Sequence, residues 1–65
     1  MIFKELECIK IKKDYLDYKI KKGDMGTVLE CFQKPEEAYL VEFADSSGES
    51  ICTEFFKPDE LEKII

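Results

Sequence analysis

Carboxylates are the side chains with most to offer chemistry in this sequence. Fifteen Asp and Glu stand against ten Lys, with no Arg and no His, giving a formal net charge of −5. Without histidine no side chain titrates near neutrality at its ordinary pKa. Ser46, Ser47 and Ser50 lie in a turn with no base to activate a hydroxyl. Asp59-Glu60 follows Pro58 and reads as charge placed at the start of a helical turn, not as an acid/base pair. Cys8, Cys31 and Cys52 are far apart and form no C-x-x-C, so a zinc site would need three distant thiolates and a carboxylate. In apolar, strand-like surroundings they read as small hydrophobes. The residues therefore predict no enzyme, no metal and no cofactor.

What remains for the carboxylates is recognition. A negative field repels phosphate backbones, and a chain without arginine lacks the forks that grip phosphates and bases. Direct nucleic-acid binding is not expected. The same field attracts a basic protein and speeds its capture.

The elements that position these groups are short strands. Leu6, Cys8, Ile9 and Ile11 mark a first strand. Lys12 to Lys22 is a polar loop whose Tyr15, Leu16, Tyr18 and Ile20 cover one end of the domain. Met25 to Phe32 forms strand two, and Pro35 marks the following turn, since it cannot donate to a ladder. Ala38 to Ala44 alternates Tyr39, Val41 and Phe43 against Leu40 and Glu42. A turn with Gly48 at positive φ leads to Ser50 to Phe56, where Ile51, Thr53 and Phe55 alternate with Cys52 and Glu54. Pro58 opens a single helical turn before a short closing strand. The pattern predicts a mostly β protein: a small five-stranded SH3-like barrel, residues 1–65 forming one SH3-like domain. An open antiparallel sheet with a C-terminal helix from Pro58 is the competing architecture. Nothing in the sequence has the length of a signal peptide or a membrane span, and three unpaired cysteines suit a reducing cytoplasm.

Alternation then assigns faces. With Tyr39, Val41 and Phe43 in the core, Glu42 points out. With Ile51, Thr53 and Phe55 inside, Glu54 points out as well. A bulge after Val28 returns Cys31 to the core and leaves Glu30 outside. Glu30, Glu42 and Glu54 would then form an acidic stripe over three strands, with Asp45 and Glu49 at the tip of one turn. Such a stripe either imitates the phosphates of a nucleic acid for a basic partner or serves as a solvated face. Of Phe55 and Phe56 one must be exposed; Phe56, with Tyr15 and Tyr18 on the long loop, is a possible binding anchor. A covering role is the alternative for all three. Gly23 and Gly26 read as conformationally permissive turn positions.

The stretch "KKGDMGTVLECF", in which a glycine turn introduces Val28, is similar over about ten residues to the KOW motif of ribosomal and transcription-factor barrels. That likeness would imply RNA binding through Lys19, Lys21 and Lys22. A fuller likeness runs through "LECIKI", "IKKGDMGTVLE", "AYLVEFADSSGE" and "FFKPDEL". It resembles a family of small bacterial proteins catalogued as a domain of unknown function, number 4926. The resemblance implies an SH3-like barrel and an immunity or antitoxin protein that occludes a basic nuclease toxin of RNase or tRNase type. A monomer in a one-to-one complex would then be expected, with the route of toxin delivery, by cell contact or within the cell, left open. A housekeeping protein-interaction module is the alternative.

Overall fold

In the computed structural model, which describes residues 2–64, five antiparallel strands form one sheet. They are β1 (Cys8–Ile11), β2 (Met25–Phe32), β3 (Ala38–Ala44), β4 (Ser50–Phe56) and β5 (Leu61–Lys63), in the order β4-β3-β2-β1-β5. Two 3-10 turns complete the chain, Leu16–Tyr18 in the long first loop and Pro58–Glu60 before β5. The protein is mostly β, as its alternation predicts, and the C-terminal helix of the competing architecture is replaced by a single turn. Glu60 fastens the start of that turn as a capping box. One of its carboxylate oxygens accepts the Lys57 backbone N–H at 2.8 Å, and the Glu60 N–H returns to the Lys57 carbonyl at 3.0 Å.

One face of the sheet carries the core. Ile9 and Ile11 from β1, Val28 from β2, Tyr39, Val41 and Phe43 from β3, Phe56 from β4 and Leu61 from β5 join Phe3 and Ile20 in one buried cluster. Since both edge strands feed this cluster, the sheet coils around it. Tyr15 spans the gap between the edges: its ring meets Phe56 of β4 at 5.5 Å, and its hydroxyl donates to Glu60, just ahead of β5, at 2.6 Å.

Two irregularities decide which residues share a face. In β2 the register passes from Val28↔Val41 to Glu30↔Leu40, so Leu29 is the extra residue of a bulge, where the sequence places one. In β4 it passes from Ala44↔Ser50 to Phe43↔Cys52, making Ile51 a second extra residue. Without it, Phe43 would face Ile51 and Leu40 would face Glu54, the arrangement read from alternation. One inserted residue inverts every side chain beyond it. Cys52, Glu54 and Phe56 therefore share the inner face, and Thr53 and Phe55 the outer one.

The N-terminal segment also departs from expectation. β1 begins at Cys8, and residues 2–7 form a strap across the domain instead of extending the strand. Phe3 is buried against Tyr39, ring centroids 5.2 Å apart, and its N–H donates to the Tyr39 hydroxyl at 3.3 Å. A turn at Lys4–Glu7, closed by Glu7 N–H to Lys4 C=O at 3.1 Å, holds Leu6 at φ 67°. A non-glycine residue in this region carries a cost of ~1–2 kcal/mol.

Candidate functional site

The outer face of β2, β3 and β4 is organised in two cross-strand rows. Thr27, Glu42 and Thr53 stand opposite one another, as do Glu30, Leu40 and Phe55. Phe55 is 61% exposed although its ring rests on that of Phe32 at 5.7 Å and 62°. Leu40 and Phe32 are half-buried beneath it. The face therefore has an apolar centre bordered by the carboxylates of Glu30 and Glu42.

This differs from the acidic stripe in two ways. Glu30 and Glu42 do point outward, but in neighbouring rows. Glu54 points inward, opposite Val41, and is half-buried beside Cys52 at the sheet edge. Burial, with Glu54 contributing, raises the Cys52 thiol pKa above its ordinary value. The bulge at Ile51 is the reason for the inversion. It also exchanges the two phenylalanines: Phe56 is 2% exposed and belongs to the core, so it is no surface anchor, and Phe55 takes the outer position.

Asp45 and Glu49 lie at the β3–β4 turn, off the sheet face. One Asp45 oxygen accepts the Ser47 N–H at 2.9 Å, the Ser47 hydroxyl at 2.7 Å and the Glu49 N–H at 3.0 Å. The Ser47 hydroxyl, followed by the backbone donors, holds this carboxyl below the usual aspartate range. Asp45 thus builds the turn that Gly48, at φ 88°, completes. Tyr15 and Tyr18 stack at 5.9 Å and both meet the Phe56 ring edge-on, forming a lid over it. Burial, then the Glu60 carboxylate, pushes the Tyr15 phenol up to about 12.

The glycine turn divides into two different roles. Gly23 has φ 93° and sits where a side chain would meet nothing within 4 Å. Gly26 has no such backbone need. A Cβ there would fall 2.8 Å from Val41 Cγ1 and 2.9 Å from both the Glu42 carbonyl and Phe43 Cε1, so glycine at this site allows β2 and β3 to close on the core. In the same turn Asp24 and Asp14 accept the backbone N–H groups of Lys21 and Lys22 at 2.9 and 2.8 Å, interleaving carboxylates with the lysine cluster. Among the described residues no group of three or more His, Cys, Asp or Glu could hold a metal ion.

Compared with known proteins, residues 5–63 match the family model described as a domain of unknown function, DUF4926. The chain belongs to that family. The DUF4926 span takes in all five strands, the glycine turn, both bulges and the outer face, and starts within the strap after Phe3. No curated protein and no solved structure matches this DUF4926 chain.

Two features of the DUF4926 site escape sequence reasoning. The exposure of Phe55 depends on the Ile51 bulge, which has no compositional mark. Phe32 sits at the end of an apolar run and gives no alternation signal of its own. Leu40 and Glu42 are legible because β3 alternates without interruption, and Glu30 because Val28 and Cys31 both require the core and so imply the bulge between them.

Proposed function

We propose that this DUF4926 protein is an immunity or antitoxin protein that binds a basic nuclease toxin, of RNase or tRNase type, through the outer face of β2, β3 and β4. The carrying observation is the exposed Phe55, set on Leu40 and Phe32 and bordered by Glu30 and Glu42. An aromatic anchor in an apolar centre with a charged rim is the anatomy of a protein-binding surface. Its charge, within a chain of net −5, selects a cationic partner. Inhibition on this reading is occlusion: the face covers the toxin's catalytic cleft or the surface that meets RNA, and the inhibitor contributes no reaction of its own. The complex is one-to-one and forms in the cytoplasm.

The test is co-expression with the product of the adjacent upstream gene. Growth arrest by that neighbour, relieved by this protein and lost again with Glu30→Lys/Glu42→Lys, supports the reading. A harmless neighbour that does not co-purify overturns it and favours a housekeeping interaction module on the same face.

A further inference from the structure

We infer that Leu6 is a second anchor for the same partner, carried on the N-terminal strap and held in a strained conformation so that its side chain stays outside the fold. The inference rests on the protein-binding reading of the outer face and extends it beyond the sheet.

Residue and position are mismatched at Leu6. Leu6 is the third residue of the Lys4–Glu7 turn and has φ 67°, a conformation that turns normally fill with glycine or asparagine. A bulky side chain is accepted at such a site when something else requires it. Packing is not that requirement, since Leu6 is 75% exposed. Lys19, the other described non-glycine residue at positive φ, closes the 3-10 turn of the first loop and is a charged side chain suited to water. Leu6 has no such excuse.

Its location supplies the rest. The Leu6 N–H donates to the Val28 carbonyl at 2.6 Å, and the Val28 N–H donates to the Glu7 carbonyl at 2.9 Å. These two bonds fix the strap against β2 immediately before the Leu29 bulge. The next residue, Glu30, begins the row that continues to Leu40 and Phe55. The strap, β2, β3 and β4 therefore follow one another laterally, and Leu6, Leu40 and Phe55 are the apolar side chains that the strap, β3 and β4 contribute. Exposed carboxylates accompany this apolar row, Glu5 beside Leu6 and Glu30 beside Leu40. A partner whose apolar side chains are flanked by lysine or arginine fits the row along its length.

The experiment uses the full chain and a catalytically inactive variant of the adjacent upstream gene product, with affinity read by titration calorimetry. Leu6→Gly relieves the strained φ and removes the side chain together. We expect its Tm to equal or exceed that of the wild type while Kd for the toxin rises at least tenfold. Leu6→Asn, also suited to this backbone region, should repeat the loss if the glycine variant loosens the strap. Leu16→Ala, at an 81% exposed leucine in the 3-10 turn of the first loop, should leave Kd unchanged. Wild-type binding with Kd unaltered by Leu6→Gly and Leu6→Asn overturns the inference and spares the outer-face reading. Absence of binding by the wild type overturns both.

Discussion

Replacing Gly26 by alanine adds one methyl group to a strand whose backbone already has ordinary angles, so the cost must come from packing alone. That methyl would lie 2.8 to 2.9 Å from Val41, Phe43 and the Glu42 carbonyl, all on β3. Val41 and Phe43 are themselves buried, and a carbonyl in a ladder cannot turn away. Relief therefore requires β2 to separate from β3, a pair whose register runs nearly the length of both strands. Overpacking of this kind costs ~1–3 kcal/mol. For 65 residues the whole stability is roughly 3–10 kcal/mol, so the loss is a large fraction of it. In a domain of this size ~2 kcal/mol corresponds to a fall in Tm of about 8–16 °C. Urea denaturation followed by far-UV circular dichroism measures it, with Gly23→Ala as the comparison. At Gly23 there is open space but φ is 93°, and the penalty is the conformational one of ~1–2 kcal/mol. If Gly26→Ala stays within about 0.5 kcal/mol of the wild type, the value assigned to surface changes, the close-approach explanation of this glycine is wrong.

Phe55→Ser should change stability by less than about 1 kcal/mol because the ring is mostly solvated, yet abolish toxin protection in the co-expression assay. Tyr15→Phe removes the hydroxyl that joins the long loop to Glu60. The Tyr15 pKa is raised in the folded state, so its contribution is complete below the ordinary value of 10.0 and is lost as pH rises toward about 12. The wild type should therefore be the more stable protein at neutral pH in thermal melts, with the difference closing across that alkaline window. Glu54→Val takes a charge from the inner side of an edge strand. Inward charges and bulges protect edges from pairing with other chains, so light scattering should detect concentration-dependent association of this variant at concentrations where the wild type stays dispersed.

Most of the architecture was legible because hydrophobic alternation is a direct imprint of burial. Tyr39, Val41 and Phe43 declare the inner face of β3, and Gly23, Gly48 and Pro58 mark positions where the backbone must turn or start a helical segment. The Leu29 bulge could be inferred because Val28 and Cys31 both needed the core. The Ile51 bulge could not. Ile51, Thr53 and Phe55 are bulkier and more apolar as a set than Cys52, Glu54 and Phe56 if the last ring is ignored, so the uninterrupted reading gave the better core. Only the loss of Phe56 from that core argued against it. The error moved Glu54 to the wrong face and exchanged Phe55 for Phe56 in the site. The strap escaped for a different reason: Phe3 is far in sequence from Tyr39, and a single apolar residue before a strand carries no period. Tyr15 and Tyr18 are open between lid and anchor in the sequence, because only the fold brings both rings onto Phe56.

The pairing of β1 with β5 sets an order in time. β2, β3 and β4 are joined by short turns and can zip as a meander from local contacts. Ile9 meets Lys63, and Ile11 meets Leu61, only once a long loop has been closed. Until then Ile9 and Ile11 have one ladder instead of two, and Tyr15 has no Glu60 to hold. The outer face of β2, β3 and β4 thus rests on local pairings, whereas closure of the sheet at β1 depends on residues 61–63, at the far end of the matched span.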